Sequence, residues 1–299
     1  MSGLAAIVSK EAIVSTFSSD VLSSAPADVE DTYAWHAGTY VEQPPLSELR
    51  QRFVAAVLDA KTPKACLVAP FGYGKTASAI GIWHACQGGG LLVLPPVSCG
   101  SFTEVARAIY DWCLFALPDQ RDLLAQAHTR FLASSAEALA RRDERQFGIP
   151  YEQGLAAITD KLERGYLDFE DVSVNLLAFV ERATELALSA GYKGLVVVID
   201  ELQQLLGNTT KGVLVALRQF IWGLRTRQLP LGLLLTMDAD TERILGDRAG
   251  DILHRIKDDG LYLNLQHIYD REFPARLWNQ YVSAFNLPRS GSDAIDRPT

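Results

Sequence analysis

The sequence predicts an α/β protein built on a parallel sheet. Five short apolar runs carry this prediction, and they lie at residues 64–69, 90–94, 194–199, 231–235 and 261–265. Four of them are nearly continuous in apolar residues, which is typical of strands buried on both faces. Helical stretches lie between the runs, and strands that alternate with helices favour parallel pairing. We therefore expect a five-stranded parallel sheet covered by helices.

The predicted helices begin and end on recognisable signals. A helix over 46–60 follows a double proline and carries its apolar residues on one face. Ser101 and Glu104 form a capping box that opens a helix over 102–117. A long amphipathic stretch at 169–190 is followed by Gly191, a residue that commonly stops helices. These signals separate the strands cleanly.

The order of the elements suggests three regions. Residues 1–45 are an N-terminal arm with weak helical periodicity followed by a turn-rich stretch. Residues 46–268 hold all five predicted strands and form the main domain. Within it, the stretch between the second and third strands is far longer than one crossover helix needs, so we interpret residues 119–167 as a helical insertion.

Composition excludes several classes of protein. The chain has 299 residues, 48% apolar and 21% charged, which is ordinary for a globular protein. Its 28 basic and 36 acidic residues give a net charge of −8, so it lacks the overall charge of a dedicated nucleic-acid binder, although a local basic stripe stays open. No apolar run approaches the ~18–20 residues that span a bilayer, and no basic region precedes the apolar start.

The four cysteines give a further expectation about location. None belongs to a C-x-x-C pair or has a histidine at metal-ligand spacing. We therefore expect buried free thiols in a reducing cytoplasm. The five histidines are scattered without an H-E-x-x-H motif, and no G-x-S-x-G motif is present.

The strongest candidate site is the stretch A-P-F-G-Y-G-K-T at residues 69–76. It follows a predicted strand and opens a helix predicted over 76–87, which is the context of the phosphate-binding pattern G-x-x-x-x-G-K-[ST]. Gly74, Lys75 and Thr76 match this pattern, whereas Ala69 stands where the first glycine is expected. Alanine adds only a methyl group where the loop begins, so we expect it to be tolerated.

The residue types in this loop suit a nucleotide. Glycines allow the backbone N–H groups to wrap around a phosphate at a helix N-terminus. Lys75 supplies a charge for the β and γ phosphates, and the Thr76 hydroxyl is a ligand for Mg²⁺. The residues expected to contact the nucleotide are Pro70, Phe71, Gly72, Tyr73, Gly74, Lys75, Thr76 and Ala77.

An acidic pair ends the third predicted strand, L-V-V-V-I-D-E. We expect Asp200 to hold Mg²⁺, directly or through a water, and Glu201 to polarise the attacking water as a general base. Alone, such a pair is more often a solvated strand end. Together with Lys75 and Thr76 it indicates a catalytic site.

Two further candidates are less specific. Thr236, at the tip of the fourth strand, could touch the γ-phosphate or the water, with Asp238 as the alternative and an ordinary strand end equally compatible. Arg255, in the segment H-R-I before the last strand, could act as an arginine finger on a neighbouring subunit. Arg243 and Arg248 compete with it for this role, and a surface ion pair is the plain alternative.

In order along the chain, these motifs resemble those of AAA+ ATPases over residues 46–285. The Asp-Glu pair and the H-R-I segment are most similar to the origin-recognition-type branch and to ATPases of bacterial phage-defence islands such as BREX. The segment D-R-E-F-P-A-R-L-W-N-Q-Y-V-S-A-F resembles the start of an AAA+ lid. The resemblance implies a P-loop NTPase three-layer sandwich, and ATP with Mg²⁺ bound between subunits of a homo-oligomeric ring or filament.

Two departures from that family qualify the resemblance. The first loop glycine is Ala69, and residues 269–299 are too few for the usual lid, so we expect only the start of a helical lid. A Mg²⁺-dependent ATPase that drives a conformational or assembly change, in a DNA-handling or phage-defence complex with protein partners, is the main hypothesis. A signalling-type nucleotide switch and a structural oligomer that uses ATP with slow turnover are the alternatives.

Overall fold

The computed structural model describes residues 40–163, 173–206 and 211–284. Apart from residues 40–45, the N-terminal arm lies outside the described residues. In chain order, the helices and strands are α1 Pro44–Leu58, β1 Lys64–Val68, α2 Lys75–Gly88, β2 Leu92–Val93, β3 Val97–Ser98, α3 Phe102–Ala116, α4 Arg121–Phe147, α5 Tyr151–Glu163, α6 Ser173–Ser189, β4 Leu195–Asp200, α7 Leu202–Leu206, α8 Lys211–Arg225, β5 Leu231–Met237, α9 Ala239–Lys257, β6 Tyr262–Asn264 and α10 Phe273–Ala284.

The strands form one sheet in the order β2-β4-β5-β1-β6, with β3 also paired to β4. Every strand pair among the described residues is parallel. The second predicted strand, 90–94, is β2, and β3 is an additional strand that follows Pro95 and Pro96, which cannot donate to the ladder. Both short strands lie along β4, so the sheet is five strands wide, as predicted.

Burial follows the pattern of the apolar runs. All residues of β1, β4 and β5 are buried, as expected for central strands of a covered parallel sheet. The edge strand β6 is only half-buried and is shorter than predicted. Gly232 in β5 lets α1 approach closely, because a Cβ there would lie 2.7 Å from Val57 and 2.8 Å from Phe53.

The path of the chain divides the helices into two groups. From β1 the chain crosses β5 and β4 to reach β2, and every later crossover runs in the opposite direction. Since such crossovers are right-handed, α2 lies on one face and the helices of the later crossovers, α3 to α9, lie on the other. The contacts agree, since α1 packs on α2, whereas α6 packs on α3 and α8, and α8 packs on α9. The fold is α/β and is compatible with a three-layer sandwich.

The predicted insertion is helical where the structure describes it. The helices α4 and α5 pack against each other, and α4 also packs on α3 and α6. His128 of α4 stacks on Tyr110 of α3, with ring centroids 4.2 Å apart, and meets Phe179 of α6 edge-on at 5.6 Å. Residues 164–167 lie outside the described residues.

Other predictions about single elements are confirmed with small shifts. The N-cap Ser101 accepts a hydrogen bond from the N–H of Glu104 at 3.2 Å, and Gly191 follows α6 with φ +95°. The carboxylate of Glu104 bonds the N–H of Gly100 rather than that of Ser101. Of the helix predicted over 169–190, residues 169–172 lie outside the described residues.

The core confirms the expectation of buried free thiols and also holds two tryptophans. Trp83 and Trp112 are buried, and Nε1 of Trp83 donates to the carbonyl of Val93 at 3.2 Å. All four cysteines are buried and free, and burial raises the pKa of Cys86 and Cys113 to about 12. None of the helices in the described ranges combines the length and apolar character needed to cross a bilayer.

Candidate functional site

The loop between β1 and α2 has the backbone geometry that its glycines allow. Gly72 and Gly74 have φ of +85° and +75°, in the left-handed region that side chains disfavour. Gly74 is the N-cap of α2, and no side chain in the described part of the chain caps this helix. The N–H groups of its first turn therefore stay available for an anion, which the helix dipole also favours.

Lys75 lies inside this loop. Its side chain is buried, and Nζ donates to the carbonyl oxygens of Ala69 at 2.9 Å and Pro70 at 3.2 Å. The loop thus wraps around its own ammonium group. A phosphate held by the loop would meet this charge in a partly desolvated position, where it is worth more than in water.

Ala69 belongs more to the sheet than to the loop. It is fully buried, and its N–H donates to the carbonyl of Met237 at 3.3 Å, which continues the ladder between β1 and β5. Its φ is not positive, in contrast to those of Gly72 and Gly74. This position therefore does not need the freedom of a glycine, in agreement with the expectation that alanine is tolerated.

Three predicted site residues meet at the carboxyl ends of the strands. Thr76 Oγ1 donates to Oδ2 of Asp200 at 2.7 Å. Thr236 Oγ1 makes a short hydrogen bond to the other carboxylate oxygen, Oδ1, and accepts the N–H of Glu201 at 3.0 Å. Asp200 and Thr236 are both buried. Thr236 thus holds the acidic pair, whereas the sequence suggested contact with phosphate or water.

Glu201 turns away from the direction of the strand. Its φ is +54°, a left-handed conformation that is uncommon for a residue with a side chain and often occurs at functional sites. Its Oε2 accepts hydrogen bonds from Nε2 of Gln204 at 2.6 Å and from Oγ of Ser98 at 3.5 Å. Sequence reasoning missed both partners. Only the place of Gln204 three residues after Glu201 gave any signal.

A cavity of about 370 Å³ lies beside the loop and was also missed. Its walls include Tyr40, Tyr73, Tyr269 and Phe273. The Tyr269 hydroxyl donates to the carbonyl of Tyr73 at 2.6 Å, and its ring lies 4.5 Å from that of Phe273. Burial raises the pKa of Tyr269, so its hydroxyl stays a neutral donor. The aromatic walls suit a flat ring.

A magnesium ion fits the donor set at Thr76 and Asp200. Among the described residues, no group of three or more His, Cys, Asp and Glu side chains could hold a metal ion by itself. Mg²⁺ does not require such a group, because it commonly takes one or two protein oxygens together with waters and substrate phosphates. A buried carboxylate beside a hydroxyl at the phosphate-binding loop offers those oxygens.

The predicted arginine finger lies apart from these residues. Arg255 is in the last turn of α9, pairs with Asp258 at 3.3 Å and lies 5.8 Å from the ring centre of Trp222. The helix α9 starts after β5, at the edge of the sheet that holds the site, and runs back towards the start of β6. The helix is kinked at Ala249, and just beyond its last turn Asp259 pairs with Lys64 at the start of β1, so Arg255 lies towards the opposite end of the sheet from the site. Action on a neighbouring subunit stays a prediction.

Asp238 is the alternative to Thr236, and Arg243 is one alternative to Arg255. Asp238 caps α9 by accepting the N–H of Thr241 at 2.6 Å. Arg243 is exposed in the second turn of α9, where it pairs with Asp240 at 3.4 Å and Asp247 at 4.0 Å. Arg243 is therefore nearer to the site of its own chain than Arg255 is.

The comparisons with known proteins give no relative from which the roles of these residues could be transferred. No family model matches the chain, and neither a curated protein nor a solved structure matches it at a significant level.

Proposed function

We propose that this protein binds ATP with Mg²⁺ at the loop between β1 and α2 and hydrolyses it. One observation carries the proposal. Thr76 and Asp200 lie 124 positions apart in the sequence, yet their side-chain oxygens are 2.7 Å apart. Thr76 directly follows Lys75, and Asp200 directly precedes Glu201. A glycine-rich turn or a solvated acidic pair alone would not require that meeting.

The loop would bind the phosphates. The first-turn N–H groups of α2 would bind a phosphate without competition from a side-chain cap, and the left-handed glycines keep the backbone unobstructed. Lys75 would exchange the carbonyls of Ala69 and Pro70 for phosphate oxygens. Such charge-assisted bonds are the stronger class of hydrogen bond.

Thr76 and Asp200 would hold the metal, and the hydroxyl of Thr236 would keep Asp200 in place through its hydrogen bond to Oδ1. When bound, Mg²⁺ neutralises charge on the β and γ phosphates. Glu201 would accept the proton of the attacking water, and the amide of Gln204 would orient the Glu201 carboxylate for this role. The cavity lined by Tyr40, Tyr73, Tyr269 and Phe273 would take the base of the nucleotide.

The resemblance to AAA+ ATPases supports a wider proposal. Hydrolysis would drive a conformational or assembly change in a ring or filament of this chain, within a phage-defence or DNA-handling complex. The motif order, the parallel sheet and the place of Arg255 far from the site of its own chain are compatible with ATP shared between subunits. This wider role rests on analogy with the family.

The substitution Lys75→Ala tests the binding site. Each lost charge-assisted hydrogen bond is worth about 1.5–3 kcal/mol, so we expect calorimetric ATP affinity to fall by about 100-fold or more. The matched control is Lys61→Ala, because Lys61 is exposed and pairs only with Asp59 among the described residues. Equal affinity of parent and Lys75→Ala would refute the loop as the site.

A further inference from the structure

Gln43 joins α1 to the cavity beside the loop. It is the N-cap of α1, and its carbonyl oxygen accepts the N–H groups of Leu46 and Ser47, both at 3.0 Å. The backbone performs this capping, since the side chain makes no cap hydrogen bond. The residue is only 1% exposed, and it lines the cavity of about 370 Å³. Capping of α1 therefore does not explain why the side chain of Gln43 is buried at this cavity.

Arg276 fixes the orientation of the Gln43 amide. Nη2 of Arg276 lies 3.0 Å from Oε1 of Gln43 and is held in turn by both carboxylate oxygens of Asp270, at 2.9 and 3.0 Å. A guanidinium group can only donate, so the amide atom that faces it must be the oxygen. The amide therefore cannot rotate to exchange Oε1 and Nε2 without losing this bond.

The nitrogen of the same amide is left over. Nε2 of Gln43 is buried and has no hydrogen-bond partner among residues 40–163, 173–206 and 211–284. Buried donors are nearly always paired, because an unpaired one loses its bonds to water without replacement. A donor that is oriented, buried and unpaired among the described residues, in a side chain that lines a cavity with aromatic walls, calls for an acceptor from beyond those residues.

We propose that Nε2 of Gln43 donates a hydrogen bond to a ring nitrogen of the ATP base and so selects the base by its acceptor pattern. This proposal rests on the proposed function, because it needs the base in this cavity. Arg276 already bonds Oε1, so the hydrogen-bonding group that the amide has free for the base is the Nε2 donor. Arg276 acts as a positioning residue, because it holds Oε1 and thereby leaves Nε2 to contact the base.

Nucleotide analogues that lack one ring nitrogen test this contact directly. We would measure calorimetric affinities of ATP and of its 1-deaza, 3-deaza and 7-deaza analogues for the parent and for Gln43→Met, which keeps the side-chain length without the amide. We expect one analogue to bind the parent about 10-fold more weakly than ATP, and Gln43→Met to bind that analogue and ATP equally. Equal penalties in both proteins, or no penalty for any analogue, would overturn the proposal.

Inorganic tripolyphosphate separates this proposal from the proposed function. It lacks a base, so Gln43→Met should bind it as tightly as the parent does, whereas Lys75→Ala should lose it. A parent protein that binds neither ATP nor tripolyphosphate would overturn the proposed function and this inference together. A parent that binds both, with no dependence of any analogue on Gln43, would overturn this inference alone.

Arg276→Met tests the positioning role. Without the guanidinium the amide can rotate, so we expect the penalty for the affected analogue to shrink to about threefold or less, from about 10-fold in the parent. Tripolyphosphate affinity should stay at the parent value. A merely structural role of Arg276 would lower the affinity for ATP and all analogues alike and leave the penalty unchanged, which would contradict the assignment.

Discussion

The hydroxyl of Thr76 donates a hydrogen bond to Oδ2 of Asp200 at 2.7 Å, across the end of a strand that lies between them. Thr76 follows β1, Asp200 ends β4, and β5 separates these two strands in the sheet. Thr236 of β5 pairs in register with Leu67 of β1 and lies beside the end of β4. Its hydroxyl therefore reaches Asp200 from the strand that separates the two residues, and it supports the Thr76–Asp200 contact.

Removal of the Thr236 hydroxyl should disturb the metal-binding carboxylate. In Thr236→Val, Asp200 loses a buried donor and the N–H of Glu201 loses its acceptor. We expect a loss of about 1–3 kcal/mol in unfolding free energy, and a roughly 10–100-fold loss in hydrolysis, as for partners of metal ligands. Urea unfolding and steady-state ATPase rates measure these two effects.

The matched control for this change is Thr236→Ser, which keeps the hydroxyl and removes a methyl group. It should retain most of the ATPase activity. If the valine variant hydrolyses ATP as fast as the serine variant, the hydrogen bonds of Thr236 do not serve the site.

Glu201→Gln should separate ATP binding from hydrolysis. The amide keeps an oxygen that can accept from Gln204, but it cannot take a proton from water. We expect ATP affinity near the parent value and a rate lower by about 10²–10⁴-fold. Glu48→Gln, at an exposed position of α1, is the control and should change neither. Parallel losses of affinity and rate would instead make Glu201 a structural residue or a metal ligand.

The strands and the loop could be predicted because their signals are local. Continuous apolar runs gave β1, β4 and β5, and the spacing of Gly74, Lys75 and Thr76 gave the turn into α2. The run at 90–94 predicted β2 but not β3, because after Pro95 and Pro96 the chain pairs with β4 again at Val97. Local patterns do not show that a strand resumes beside the same neighbour.

The missed site residues depend on contacts between distant segments. Ser98 approaches Glu201 only because β3 pairs with the end of β4, and Gln43 meets Arg276 across 233 positions. Thr236 was correctly placed at a strand tip, but its direction depends on sheet register. Single polar residues carry no sequence pattern that announces such partners.

His128 should make stability depend on pH. Burial lowers its pKa, the charge of Arg107 lowers it further, and Asp111 raises it. The folded protein therefore binds this proton less readily than the unfolded chain, whose histidine titrates near about 6.5. Stability is complete above that value and falls as the pH drops through it towards the lowered folded pKa. Thermal melting at pH 7.5 and 5.5 measures this loss.

His128→Phe should reduce the loss of stability in acid. Phenylalanine keeps a flat ring between Tyr110 and Phe179 but takes no proton. The control is His267→Gln, because His267 is exposed and should leave the pH dependence as in the parent. An unchanged difference in melting temperature between the two pH values in His128→Phe would show that other groups cause the acid sensitivity.

Arg255 can be tested by mixing two inactive proteins. Arg255→Ala keeps an intact site but offers no finger, whereas Lys75→Ala has a dead site but still offers Arg255 to a neighbour. If Arg255 completes a neighbouring site, the mixture should regain activity well above either variant alone, because a finger is worth about 10³–10⁵ in rate. Arg255→Lys, which keeps the charge without the planar fork, should restore much less. A mixture that co-assembles but stays inactive would contradict the finger role and turn the same test to Arg243 and Arg248.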